Sequence, residues 1–289
     1  MARTATIGGL SFSSTGWTHP DGWTVWLDNN AEGWDDGVGV RRERPKRLRQ
    51  HGEFTEPGFR DGRLVTLEGD VTSPSEQAAA GAKLALAALL ADGGQGILIV
   101  TDTAQPTMSA AADLADAPKI RHKNDTTLEY QIHLHCPDPR RYGATAPATT
   151  GVPVTGGGLT FPLFTPAPPG LLDFGQPGYP GTATIANPGT AATPPRFTVI
   201  AAMAPNGFTI TDLVARRRLV YTGALGPGDS MRLNARDGSV LLNGYADRST
   251  LLTVREWTRL AAGASGTWLF EAPGSTGAQL TVEVDPAWW

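Results

Sequence analysis

The sequence predicts a mainly β protein in two parts. The first is an N-terminal α+β domain, an antiparallel sheet or barrel carrying one helix; the second is a C-terminal β-sandwich of jelly-roll type. Three observations predict this. Charged residues make up only 18% of the chain, while there are 35 glycines and 23 prolines, a balance that favours short strands joined by turns over long surface helices. Convincing helical periodicity occurs once, between Ser73 and Gly94. Beyond residue 180, about eight short apolar runs alternate with turn signals and no helical pattern intervenes, which is the mark of a sandwich.

The length of 289 residues suits two domains. Residues 1–143 carry 15 Lys+Arg against 19 Asp+Glu, whereas residues 144–289 carry nine of each. The stretch from Tyr142 to Pro195 holds eleven of the prolines. We therefore expect a domain over 1–143, a linker over 144–160 with TTGVPVTGGGLTFPL running into a first strand, and the sandwich over 161–289.

In the N-terminal part, WTVWL (Trp23 to Leu27) suits a strand, because aromatic and β-branched residues pack on a pleated surface. In GRLVTLEGDV, Leu64, Thr66, Glu68 and Asp70 fall on one side and Val65, Leu67 and Val71 on the other, which predicts a strand with one buried face. Ser73-Pro74-Ser75-Glu76 reads as a capping box with Ser73 as the cap. Ala82, Leu86, Leu89 and Leu90 make one apolar stripe, and Gly93-Gly94 stops the helix. ILIVTD (Ile97 to Asp102) reads as a buried strand. In LEYQIHLHC, Leu128, Tyr130, Ile132, Leu134 and Cys136 face one way and Glu129, Gln131, His133 and His135 the other, so the strand is half buried. Pro137-Asp138-Pro139 ends it.

In the C-terminal part the strand signals are residues 181–190, 196–203, 207–214, 218–223, 230–235, 239–244, 266–272 and 278–289. Asn187-Pro188-Gly189, Asn206-Gly207, Asp237-Gly238 and Asn243-Gly244 separate several of them and are strong turn and hairpin cues.

Composition bounds function. A net charge of -4 lacks the positive excess of a general nucleic-acid binder. The one cysteine, Cys136, leaves no internal disulfide and fits cytosolic folding. The N-terminus lacks a signal-peptide core, and the longest apolar run, LALAALLA, is too short to span a bilayer. We expect no membrane insertion. No G-x-S-x-G, Walker or dinucleotide glycine pattern occurs. We expect no catalytic, metal or cofactor-binding residues. The tempting H-x-H-C of residues 133–136 places both histidines on the polar face and Cys136 on the other, too few ligands for zinc.

Two features remain. Trp17, Trp23, Trp26 and Trp34 crowd the first 34 residues, where core and interface filling competes with a sugar-stacking platform. Arg41, Arg42, Arg44, Lys46, Arg47 and Arg49 form a basic run in an acidic half. It is a solvated arm, an arm docking on an acidic neighbouring subunit, or one facing a lumen that nucleic acid crosses; Arg suits bidentate contact with carboxylates, which favours docking over phosphate contact.

The order and spacing of these motifs resemble the distal tail proteins of long-tailed, siphovirus-type bacteriophages. The resemblance rests on GRLVTLEG before the helix, CPDPRRY closing the first domain, ATIANPGTAATPPRFTVIAAM opening the sandwich, and GALGPGDSMRLNARDGSVLLNG in its hairpins. It implies a belt-forming N-terminal domain, a galectin-like sandwich and a hexameric ring in the tail tip of the virion, made in the host bacterial cytoplasm. The implied partners are the tail tube protein and hub, fibre or receptor-binding proteins, with DNA only as passing cargo in the channel. Trp34, Arg41, Arg42, Arg44, Arg47 and Arg49 are then the subunit-interface candidates. Two competing readings are a carbohydrate-binding module using Trp257, Trp268, Trp288 and Trp289, and a hydrolase whose carboxylates converge only in space.

Overall fold

A computed structural model of the chain describes residues 2–154, 156 and 178–289. Residues 157–177, with the end of the expected linker, the start of the expected sandwich and the strand expected in LTFPL, lie outside the described residues. Two compact units divide the chain: Met1–Gly143 with Trp289, and Ala144–Trp288.

The first unit contains β1 (Arg3–Ile7), β2 (Leu10–Ser13), β3 (Trp17–Thr18), β4 (Thr24–Val25), β5 (Val40–Arg41), β6 (Phe59–Arg60), β7 (Arg63–Thr72), α1 (Glu76–Ala87), β8 (Gly96–Asp102), β9 (Met108–Leu114), β10 (Lys119–Asn124), β11 (Thr127–Cys136) and β12 (Arg141–Tyr142). The strand order is β2-β1-β8-β9-β11-β7-β4-β3, with β10 on the free side of β11. Its centre is the ten-residue antiparallel pair of β7 and β11, in register from Thr72↔Thr127 to Arg63↔Cys136. Both strands alternate as their sequences predict. Val65, Leu67, Val71, Leu128, Ile132 and Leu134 are fully buried, each contributing roughly 1.5–3 kcal/mol of transfer free energy. The opposite face is polar. Gly69 is required here because a Cβ would stand 2.0 Å from the Trp26 carbonyl oxygen.

Three expectations need correction. The helix starts later than the capping box suggests: Ser75 is its cap, accepting from the Ala78 amide at 3.2 Å. The Ser73 amide is instead bonded to the Thr126 carbonyl, which keeps residue 73 in an extended run. The helix also ends at Ala87, before the glycines, and a turn with Leu90 at φ 48° follows. β8 is half buried: Leu98 and Val100 point inward, while Ile97 and Ile99 are exposed. Finally, WTVWL forms only the two-residue β4, which pairs with the end of β7.

The second unit contains β13 (Ala146–Gly151), β14 (Thr182–Ala186), β15 (Arg196–Ile200), β16 (Phe208–Asp212), β17 (Arg217–Tyr221), β18 (Ser230–Asn234), β19 (Val240–Leu242), β20 (Ala246–Asp247), β21 (Leu252–Arg255), β22 (Ser265–Glu271), β23 (Gln279–Val284) and β24 (Ala287–Trp288). Two sheets, ordered β13-β23-β15-β18-β19-β20 and β14-β22-β16-β17-β21, enclose a core of Phe197, Val199, Phe208, Ile210, Trp268, Phe270, Leu280 and Val282. Ala146–Gly151, inside the expected linker, is an edge strand of this sandwich paired along its length with β23. Asn187 is fully buried. Its side-chain amide donates to the carbonyls of Ala191 (2.8 Å) and Ala261 (3.1 Å), and its oxygen accepts from the Gly189 amide. One side chain thus fixes the turn that opens the sandwich.

Candidate functional site

Residues 39–61 leave the sheet as a β-hairpin. β5 and β6 pair at its base, with Val40 opposite Arg60, and Lys46 bridges to Glu53 further out. The Arg47 amide donates to the Gly52 carbonyl and the Phe54 amide to the Pro45 carbonyl. The two strands support each other, and at the base the Arg60 guanidinium lies 5.0 Å from the Trp289 ring centre. Val40, Leu48, Phe54 and Phe59 are all exposed, Leu48 completely. Exposed apolar side chains on a projecting arm are unusual for a surface that stays in water.

Arg63 ties down the root of the arm. Arg63 is 1% exposed, and its guanidinium donates to the carbonyls of Gly33 (2.8 Å), Trp34 (2.9 Å), Asp36 (2.7 Å) and Pro139 (3.1 Å). It thereby ties the segment that leads into the arm, the strand that leaves it and the Pro-Asp-Pro turn together. Burial pulls this guanidinium below the usual arginine value, and the nearby Arg141 adds to that; it stays charged, because arginine starts so high. Gly33 sits at φ +85°, and a Cβ there would stand 2.1 Å from the Leu64 carbonyl oxygen, so only glycine allows this approach.

An ion-pair chain braces the same place. Asp35 accepts from Arg3 (2.6 Å) and Arg141 (2.9 Å), and Arg3 also pairs with Asp102 (2.7 Å). Burial works against the Arg3 charge, but Asp102 and Asp35 outweigh it and raise its pKa. Asp138 accepts from Arg140 (2.8 Å) and from the Tyr142 hydroxyl (2.6 Å). The GR and PDPRRY motifs, 76 residues apart in sequence between Arg63 and Pro139, therefore meet at the root of the arm.

Of the sequence-predicted interface residues, Arg41, Arg42, Arg44, Arg47 and Arg49 all lie on the arm and are exposed. Among the described residues none of them pairs with a carboxylate of the body; the Arg47 guanidinium lies 5.1 Å from the Phe54 ring centre, within the arm. Trp34 departs from that expectation. It is 1% exposed, and Arg141 lies 5.8 Å from its ring centre, so its indole fills its own chain's interior. Trp23 is likewise buried, whereas Trp26 is 38% exposed. Arg63, Arg141 and Asp35 were not predicted as site residues. Their partners are mainly backbone carbonyls and distant charges, which leave no local pattern; the GR and PDPRRY motifs contain Arg63 and Arg141, and nothing local marked Asp35.

The other chemical candidates resolve simply. His133 bonds the Thr66 hydroxyl at 3.1 Å and His135 lies 3.4 Å from Asp113. Cys136 is buried on the opposite face, where burial pushes its thiol up to about 11. In the sandwich, Trp268 is buried in the core, Trp257 packs against it and Trp288 is half buried, while Trp289 is 40% exposed with the Arg60 guanidinium 5.0 Å from its ring centre.

Comparison with known proteins gives the wider context. Residues 188–288 match the family model described as siphovirus-type tail component, C-terminal domain. No curated protein matches the chain in sequence. Among solved structures, the chain is similar to the Dit protein of phage SPP1, described as a paradigm of the hub adsorption apparatus in phages infecting Gram-positive bacteria. The TM-score is 0.64 at 11% identity, with 98% of each chain covered. Chains from the phage P2 baseplate in its activated conformation, with calcium and with strontium, give TM-scores of 0.55 and 0.53 at 9% and 10% identity, covering 98% and 97% of each chain. Residues 188–288 thus match the C-terminal domain of the siphovirus-type tail components, and the chain as a whole shares the fold of the SPP1 Dit protein.

Proposed function

We propose that this protein is a structural, non-catalytic component of a phage tail tip, which assembles into a six-fold ring joining the tail tube to the hub and receptor-binding proteins. The observation that carries the reading is the projecting hairpin of residues 39–61: it is basic, bears exposed apolar side chains and is hydrogen-bonded at its root through Arg63. A ring needs two different, complementary surfaces on each copy, and such an arm supplies one of them. Exposed Arg and aromatic side chains are the residue types enriched where subunits bury surface. The tail-component match of residues 188–288 and the fold shared with the SPP1 hub protein support the placement in a virion tail. Light scattering across a concentration series, followed by imaging of the largest species, tests it. A closed oligomer is expected; a species that stays monomeric alone and with tail partners overturns it.

A further inference from the structure

The arm and the rest of its unit differ sharply in charge. Residues 39–61 carry seven Lys and Arg against four Asp and Glu, whereas the remainder of residues 1–143 carries eight against fifteen. The unit is thus a positive rod on a negative body, and the rod makes no ion pair with its own body among the described residues. The twelve residues from Gly39 to Gln50 can extend at most about 40 Å, enough to cross onto an adjacent copy.

The polar face of β7, β10 and β11 offers carboxylates, four against three cations in its trough, to such a rod. This trough of about 340 Å³ is lined by the carboxylates of Asp28, Glu68, Asp70 and Glu129 and, along its β10 edge, by Lys119, Arg121 and Lys123, with Arg121 opposite Glu129 in register. Register brings these together: Glu68 lies opposite Gln131 and Asp70 opposite Glu129, while the Asp28 amide donates to the Glu68 carbonyl at 2.9 Å. Asp70 is already taken by Lys123 at 2.7 Å, and Glu68 accepts from Gln131. Asp28 and Glu129 are exposed and form no ion pair among the described residues. Trp26 lies on the same outer face. Its amide donates to the Asp70 carbonyl and its indole N–H to the Thr72 hydroxyl at 3.2 Å, which leaves part of the ring uncovered. Carboxylates beside an open indole suit a guanidinium, which can pair with the first and stack on the second.

We propose that the arm of one copy is received by the trough of the next, with arm arginines meeting Asp28, Glu129 and Trp26. This rests on the ring-forming reading and names its second surface. The contact is head-to-tail, so each copy uses its arm once and its trough once, as a closed ring requires.

The test is charge reversal on the full chain. Arg42→Glu with Arg44→Glu makes one variant; Asp28→Lys with Glu129→Lys makes the other. Each alone is expected to weaken assembly by about 100-fold, the order expected for reversing two close charge pairs, with unchanged circular dichroism and melting. Mixing the two variants is expected to recover rings in which they alternate, because the Glu arm of one meets the Lys trough of the other while the native arm of the second meets the native trough of the first. A chain carrying all four changes is expected to recover rings. Recovery in that chain supports the pairing. If the arm variant loses assembly but the trough variant keeps it, the receiving surface is wrong while the ring reading survives. If neither variant loses assembly, the inference is overturned. A wild-type chain that never assembles overturns both readings.

Discussion

Arg63 offers the sharpest test of how the arm is held. Replacing it with methionine keeps the buried volume and removes the donors to four carbonyls. The bond to the Trp34 carbonyl is buried, and the other three are part-buried. Charging the full penalty of about 1–3 kcal/mol for the buried acceptor and roughly 0.5–1.5 kcal/mol for each of the others gives a loss of about 3–5 kcal/mol, since water replaces some of the lost bonds. Arg63→Lys keeps the charge but not the planar fork, so an intermediate loss of about 2 kcal/mol is expected. Hydrogen exchange read on β7 and β11 peptides reports on this unit separately from the sandwich. The amides of residues 39–61 exchange faster in both variants. A methionine variant whose β7 and β11 amides open within about 1 kcal/mol of wild type would refute the reasoning, because the four bonds would then be redundant.

Further outcomes follow from the same structure. Neutralising Arg41, Arg42 and Arg44 together weakens assembly by more than tenfold yet moves the melting temperature by under about 2 °C, because exposed charges contribute little to a single chain's stability. Raising salt to 1 M, where screening acts over about 3 Å, weakens wild-type assembly and spares this variant. Asn187→Ala lowers the stability of the sandwich by about 2–4 kcal/mol, read by hydrogen exchange on β22 and β23, since several buried backbone groups lose their partner at once. Burial pushes the Asp285 carboxyl up, but its bonds from Arg196 and Thr145 outweigh this and hold it below its usual 3.8. A carboxyl whose folded pKa lies below its unfolded one stabilises the fold above the unfolded value, and that stability is lost as pH falls through the folded value. Asp285→Asn should therefore flatten the acid limb of the sandwich's stability curve below about pH 4 and leave its shape near neutrality unchanged.

The sequence showed most clearly the elements whose two faces differ. β7 and β11 were legible because every second residue is apolar, and the sandwich strands because turn residues punctuate them. β9 was not: Ala110, Ala111 and Ala112 carry little strand preference, and pairing with β8 decides their state. β10 was hidden for the opposite reason, since Lys119, Arg121, His122 and Lys123 suit an exposed edge and have no buried face to reveal it. The helix was placed two residues early because Ser73 and Ser75 are equally good caps locally, and a tertiary bond at Thr126 decides between them. In the candidate site, the basic run was visible as composition, but its pairing into a hairpin was not, because Pro45 and Pro57 argue against strands. Trp34 looked like an interface residue by type alone; only the packing of Arg141 over it places it indoors.

The central claim is that this chain works by closing a ring through its arm. Native mass spectrometry of the wild-type chain beside one lacking residues 42–57, joined by a short glycine linker, tests it most directly. A wild-type species of six subunits and a monomeric arm-deleted chain with an unchanged melting profile are predicted. Equal oligomers from both chains would contradict the claim.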